Sequence, residues 1–430
     1  MRELKGNREG HLVFGGCDTV ELAKEYGTPL YVVDEGYIRE RCREIRETFT
    51  GKYPNARAVY ASKALQTKEI CRIVTEEGLG LDTVSGGEIY TAVKAGADPS
   101  KIIFHGNNKT PEEIELALKY KIGRFVVDNE YELGLIEEKA GALGVSAAIQ
   151  LRITPGVNSH THKFISTGNI DSKFGISLER ETRNRMIRLA EASAHISLKG
   201  FHFHVGSQLM ENDSHLLALD IILGLMKEVR EELGFVAEEL NLGGGFGVRY
   251  VEGETTVAVK DFTDPMMEKI NGFCKAEQFP LPEVCIEPGR WIVGNAGITL
   301  YTVGSIKEIP GIKTYVAVDG GMADNPRPVL YEAEYEAVVA NRVNSPANRR
   351  VSLVGKCCES GDVLIQETAL AGDLESGDVL CVFTTGAYNY SMASNYNRIP
   401  RPAMVTVKEG AARLSVRRET YEDLLSRELE

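Results

Sequence analysis

Eight hydrophobic runs along the first two thirds of the chain each end in, or carry, a residue able to do chemistry. Lys63 closes the run 57–62, Ser85 follows 79–84, His105 follows 101–104 and Asp128 follows 124–127. Arg152 lies in the run 147–153, His204 follows 198–203, Gly243-Gly244-Gly245 follow 239–242 and Glu287 follows 284–286. Taken singly, each has a plain structural explanation. Lys63 can reach for solvent, Asp128 can cap a helix, His204 can be a satisfied core histidine, and Glu287 can pair with Arg290. The repetition points instead to reactive groups converging on one face. A lysine amine partly withdrawn from water has a lowered pKa and can form a Schiff base with a carbonyl. Four glycines among 243–247 are more than a tight turn needs, and they let backbone N–H groups approach an anion such as phosphate. Gly289 offers one more such donor.

The elements that must position these groups follow a regular rhythm. Between the strand-like runs lie amphipathic helical patterns at 67–77, 88–95, 111–120, 130–143, 178–192, 216–233 and 261–277. Strand-helix alternation implies parallel strands joined by right-handed crossovers. Eight strands over this length predict a closed (β/α)8 barrel, whose active sites sit at the C-terminal strand ends. A doubly wound open sheet is the weaker alternative, because no Gly-x-Gly-x-x-Gly turn follows the first strand. At such a mouth Glu287 would keep the pyridine nitrogen of pyridoxal phosphate (PLP) protonated, the better electron sink for carbanion chemistry.

Beyond 296 the rhythm changes to strand-like runs at 299–306, 313–318, 335–342, 350–354, 363–368, 378–383 and 404–407, with little helical periodicity between them. This predicts a mostly antiparallel β domain, which the early run 30–33 can join. The expected organisation is a barrel over 35–287 and a β domain built from 1–34 and 288–430. The long polar stretch 158–175 is a candidate lid.

The chain has 430 residues and a formal charge of −13, which argues against a general nucleic-acid binder. The N-terminus has no apolar core of a signal peptide and no run reaches membrane-spanning length, so a cytoplasmic location is expected. Eight cysteines are scattered without a Cys-x-x-Cys pair or zinc-type spacing, so no metal is expected.

In order along the chain stand Tyr60-Ala61-Ser62-Lys63-Ala64, Ser85-Gly86-Gly87-Glu88, Phe104-His105-Gly106-Asn107 and His204-Val205-Gly206-Ser207-Gln208. They are followed by Gly243-Gly244-Gly245-Phe246, Glu287-Pro288-Gly289-Arg290, Cys358-Glu359-Ser360-Gly361-Asp362 and Gly386-Ala387-Tyr388. This series resembles the diaminopimelate decarboxylases, within the fold-type III PLP enzymes that include ornithine and arginine decarboxylases, and the likeness runs nearly end to end. The resemblance implies that Lys63 carries PLP and that His204 stacks on its ring. Ser207, Gly244, Gly245 and Gly289 would hold the phosphate, Glu287 the ring nitrogen, and Arg290 and Tyr388 would contact cofactor and substrate. Cys358 would be the proton donor, chosen over Cys357 because Glu-Ser-Gly-Asp follows it directly. The resemblance also implies a homodimer in which the Cys358-Glu359 segment completes the neighbouring subunit's site.

Diaminopimelate ends distally in a carboxylate and an ammonium, whereas ornithine ends in an ammonium alone. Arg290 and Arg327, with Tyr331, suit the carboxylate, and Glu359 suits the ammonium. Arginines facing a bare ammonium would repel it, which counts against ornithine, arginine or carboxynorspermidine as substrate. An alanine racemase is expected to put an arginine where this chain has Glu287. A non-catalytic regulatory homologue is expected to lack Lys63 or Cys358. The expected reaction is decarboxylation of meso-diaminopimelate to L-lysine, the last step of lysine biosynthesis.

Overall fold

The computed structural model describes residues 5–157 and 172–429, so the candidate lid 158–175 lies outside them except for its last four positions. The chain divides into two compact units. One comprises Arg41–Gly247 and Thr256–Trp291; the other comprises Met1–Glu40, Val248–Thr255 and Ile292–Glu430.

In the first unit eight parallel strands close into a barrel: β1 (Ala56–Ala61), β2 (Gly80–Thr83), β3 (Ile102–Phe104), β4 (Arg124–Val127), β5 (Ala147–Arg152), β6 (Ile196–His202), β7 (Glu239–Asn241) and β8 (Glu283–Ile286). Closure is made by β8 pairing with β1, in the register Val284↔Ala56 to Ile286↔Ala58. The crossovers carry helices α1 (Lys68–Glu76), α2 (Gly86–Lys94), α3 (Pro111–Tyr120), α4 (Glu130–Leu143), α5 (Arg180–Ala192), α6 (Asp213–Leu233) and α7 (Val259–Ala276). Local chemistry sets where several of them begin. Thr67, Ser85, Thr110 and Asn129 each accept a first-turn backbone N–H, Thr110 within a full capping box. Each such cap contributes ~1 kcal/mol. The cap of α4 is thus Asn129, not Asp128, while Ser85 does hold the structural post of a cap.

The two ends of the barrel differ in character. At the N-terminal end, Arg124 donates through Nε to both Glu239 oxygens at 2.9 and 2.8 Å, and Gln150 donates to Glu239 at 2.7 Å. Arg57 pairs with Glu283 there at 2.5 Å. Charge pairing between neighbouring strands at this end is what the stabilising face of such a barrel calls for. Apolar Val59, Ile103, Val126 and Cys285 cluster further along the strands.

The second unit contains β9 (Gly297–Ile309), β10 (Lys313–Val318), β11 (Ala337–Val339), β12 (Ala347–Val354), β13 (Val363–Ala371), β14 (Val379–Phe383), β15 (Ala403–Lys408) and β16 (Ala411–Val416). The early strand Leu30–Asp34 lies between β9, to which it is antiparallel, and β15, to which it is parallel. Alternate residues of neighbouring strands, among them Leu30, Val32, Ile298, Leu300, Cys381, Phe383, Val405 and Val407, form the core of this unit. Such alternation is the pleat sending one face inward.

Three details depart from the sequence reading. The strand expected at 335–342 shortens to β11, because Ala340–Arg342 turns tightly and Arg342 bonds Asp378 at 3.0 and 3.1 Å. Strand β16 was not foreseen; its Ala-Ala-Arg-Leu-Ser-Val pattern is exposed or half-buried throughout, and only pairing with β15 defines it. Residues 248–255, expected within the barrel, pack in the β unit. There Arg249 pairs with Glu336 at 3.2 Å and its carbonyl accepts from Asn295 at 3.0 Å.

Candidate active site

In the barrel unit, Lys63 sits in a short turn, Ser62–Ala64, directly after β1. It is exposed, whereas the sequence reading expected partial desolvation. Its ammonium is nonetheless close enough to act electrostatically on Asp82, Glu88 and His204.

Glu287, just past β8, is the centre of the buried polar group. One oxygen lies 2.7 Å from His105 Nε2 and accepts from Asn241 Nδ2 at 2.7 Å, and the other lies 3.2 Å from His202 Nε2. All four residues are at most 7% exposed. Burial alone would raise the Glu287 pKa, but His105 and His202 outweigh it and hold the carboxyl well below the usual carboxylate range. His202 is pushed down to about 3 by burial, so it meets Glu287 as a neutral donor. The local ion pair with Arg290 is not the arrangement adopted at Glu287. Asp82, 3.7 Å from His105, behaves in the opposite way: burial raises its pKa. Two carboxyls in one mouth are therefore driven apart, Glu287 ionised and Asp82 toward its neutral form. Such separation marks sites where acid and base roles are divided.

His204 is half-buried, and its pKa is pushed well down by burial, Lys63 and Arg152. Its Nδ1 accepts from the Gly244 N–H at 3.3 Å, which fixes the ring against the glycine loop after β7. That loop tolerates no side chain: a Cβ on Gly244 would meet the Glu287 carbonyl oxygen at 2.0 Å, and one on Gly245 the Gly206 carbonyl at 2.2 Å. Gly245 also has φ +102°, a conformation that only glycine adopts without strain. Arg290, 6% exposed, donates to Ser207 Oγ at 3.0 Å and ties the loop after β6 to the segment Glu287-Pro288-Gly289-Arg290. Lys63, His204, Ser207, the glycine loop, Glu287, Gly289 and Arg290 thus occupy one end of one barrel.

The remaining candidates lie in the β unit. Arg327 opens the short helix Arg327–Tyr331 and is 7% exposed. Its guanidinium donates to the Tyr335 hydroxyl at 2.7 Å and lies 4.9 Å from the Tyr250 ring centroid. Tyr331 is half-buried. Tyr388, also half-buried, has φ +63°, a left-handed backbone that costs a non-glycine residue ~1 kcal/mol or more. It acts electrostatically on Arg327. Of the vicinal thiols Cys358 is exposed and Cys357 buried. Burial and Asp362 push the Cys357 thiol up to about 11. Asp362 accepts from the N–H groups of Cys357 at 2.8 Å and Met322 at 2.7 Å, which pins the loop from which Cys358 and the exposed Glu359 project.

Sequence reasoning did not single out His202 and Asn241. Their signal was available: His202 precedes His204 by two residues, and Asn241 precedes Gly243 by two, but neither shows its partner until the parallel strands pair. The described residues fit PLP on observations independent of any likeness. An exposed amine, an ionised buried carboxylate, a neutral imidazole and a side-chain-free loop share one mouth, and the Ser62 Oγ and His202 Nδ1 atoms there are buried without a protein partner.

Residues 35–294 match the family described as pyridoxal-dependent decarboxylase, pyridoxal binding domain. The chain is similar to the diaminopimelate decarboxylase of Bacillus subtilis, with 50% identity covering 98% of this chain and 96% of that one. It is similar to the diaminopimelate decarboxylase of Staphylococcus aureus at 43% identity, covering 98% of both. Among solved structures, the diaminopimelate decarboxylase of M. jannaschii in complex with L-lysine superposes with a TM-score of 0.91 at 36% identity, covering 100% of this chain and 97% of that one.

Proposed function

The chain belongs to the diaminopimelate decarboxylases, pyridoxal-dependent carboxy-lyases, and from that premise we propose how its residues divide the work of converting meso-diaminopimelate to L-lysine and CO2. Bound PLP supplies an electron sink for the pair left behind when the α-carboxyl group departs. The observation that carries the assignment is the buried Glu287, kept ionised by His105, His202 and Asn241 at the barrel end that also carries Lys63. An ionised carboxylate there holds the ring nitrogen's proton in place.

Lys63 would hold the cofactor through its amine, which stands exposed at the end of β1. His204, neutral and braced by Gly244, presents a flat face to the ring. Ser207, Gly244, Gly245 and Gly289 hold the phosphate, and Arg290 steadies Ser207. Arg290, Arg327 and Tyr331 take the distal carboxylate, Glu359 takes the distal ammonium, and Tyr388 contacts cofactor and substrate. The Cys358 thiol delivers the proton to the carbon that loses its carboxyl; its exposure suits that task and the burial of Cys357 does not. We assign the chain to the last step of lysine formation in the cytoplasm; no described helix is long and apolar enough to cross a membrane. We also assign it a homodimer in which Cys358 and Glu359 serve the neighbouring subunit.

The test is CO2 release by PLP-loaded protein from meso-diaminopimelate and, separately, from L-ornithine. Release from diaminopimelate alone, abolished in Lys63→Ala, is the expected result; release from ornithine would overturn the roles given to Arg290, Arg327 and Glu359. Mixing Lys63→Ala with Cys358→Ala protein tests the shared site. Recovered activity supports the dimer, and none speaks against it.

A further inference from the structure

Arg327 is a buried cation in an unusual setting. It is 7% exposed, yet no carboxylate lies within ion-pair distance of it among the described residues. Its surroundings are aromatic. The guanidinium carbon lies 4.9 Å from the Tyr250 ring centroid and 5.7 Å from that of Tyr335, and one N–H donates to the Tyr335 hydroxyl at 2.7 Å. The two rings meet edge to face, 5.5 Å apart at 85°, and are 6% and 4% exposed. A buried guanidinium is ordinarily neutralised by an acid, since an isolated charge is costly to bury. Two ring faces offset part of that cost without neutralising the charge. A carboxylate partner within the protein would compete with any anionic ligand; tyrosines do not.

We propose that Tyr335 and Tyr250 are positioning residues that hold the Arg327 fork in one orientation and leave its charge available for the substrate's distal carboxylate. This rests on the assignment of Arg327 to that carboxylate. Preference for a substrate with a second carboxylate is thereby set by two aromatic residues that need not touch the substrate. Tyr250 reaches this place only because residues 248–255 leave the barrel and join the β unit. The rigid fork matters because bidentate recognition of a carboxylate depends on the guanidinium plane. Without the Tyr335 hydrogen bond the plane is free to turn, and binding of the carboxylate must then meet that ordering cost.

The test compares two ligands by calorimetry on the PLP-loaded protein. L-Lysine retains the carboxylate that corresponds to the distal end of diaminopimelate; 1,5-diaminopentane lacks it. In Tyr335→Phe, affinity for L-lysine is expected to fall about 10-fold, the size of one lost hydrogen bond to a charged group, with affinity for 1,5-diaminopentane unchanged. In turnover, KM for diaminopimelate should rise by about the same factor while kcat stays within about two-fold, because only uniform binding is lost. Equal loss for both ligands, or for neither, overturns the proposal. Should Tyr335→Phe fail to fold, Tyr250→Leu, which keeps the hydrogen bond and removes one ring face, is held to the same two ligands and the same criterion. Arg327→Gln separates the premise from the proposal. If it leaves the preference for L-lysine intact, Arg327 does not bind the carboxylate and both fall; if it removes the preference while Tyr335→Phe does not, only the role of the tyrosines falls.

Discussion

Replacing Lys109 by Met should destabilise the protein by an amount that grows with pH. Lys109 follows the His105 loop, and its ammonium reaches the Gly106 carbonyl at 2.9 Å, the Val126 carbonyl of β4 at 2.7 Å and Glu132 of α4 at 2.7 Å. Both charged side chains are at most 2% exposed. Burial pushes the Glu132 carboxyl up to about 7 against the pull of Lys109, and burial lowers Lys109. A carboxyl raised in the folded state contributes stability that is full below its unfolded pKa, ~4.3, and is lost as pH rises through the folded value. In the wild type that loss is complete a little above pH 7. In Lys109→Met the stranded carboxyl titrates higher still, so its loss continues at ~1.4 kcal/mol per pH unit where the wild type has levelled off. Near pH 6 the variant should lose only the hydrogen bonds, about 1–3 kcal/mol. Near pH 8.5 a further ~2 kcal/mol should be lost, approaching the 3–5 kcal/mol of a broken buried pair. Urea unfolding of both proteins at the two pH values measures the difference. Adding Glu132→Leu should remove the pH dependence. Equal destabilisation at both pH values, or a pH dependence that survives Glu132→Leu, would refute the argument.

Other perturbations probe the candidate site residues directly. Glu287→Gln removes a charge that burial makes effective, and kcat/KM should fall about 10²- to 10³-fold, the 3–4 kcal/mol of a preorganised electrostatic contact; steady-state kinetics on PLP-saturated protein decides it. Because Glu287 is held well below the usual range, its pairing with His105 stabilises the fold above the unfolded pKa, ~4.3, and is lost as acid is added, so Glu287→Gln should flatten the acid limb of the unfolding profile. Gly244→Ala places a Cβ 2.0 Å from the Glu287 carbonyl, so the loop must shift; PLP affinity, followed by absorbance titration, should drop at least ~10-fold. Cys358→Ala should abolish most turnover and remove the one fast-reacting thiol, whereas Cys357→Ala should keep kcat and lose about 1–2 kcal/mol of stability as a small buried hydrophobe; thiol labelling and thermal melts distinguish the two.

The amino-acid sequence determined by itself much of what depends on short-range pattern. Hydrophobic and helical runs placed the barrel strands within a residue or two, and α3 and α4 at their observed bounds, because caps such as Thr110 and Asn129 and the left-handed Gly144 are local chemistry. The order of motifs from Lys63 to Tyr388 was likewise enough to name the family. Tertiary structure decided which groups meet. His105, His202, Asn241 and Glu287 belong to four different strands; β6, β7 and β8 pair in succession, and closure of β8 onto β1 brings His105, from the end of β3, to the same carboxylate. Nor could the sequence tell buried Cys357 from exposed Cys358, or show that Tyr250 would leave the barrel to face Arg327. Those outcomes follow from contacts between residues far apart along the chain, and from the burial that shifts a carboxyl or a thiol only once water has been excluded.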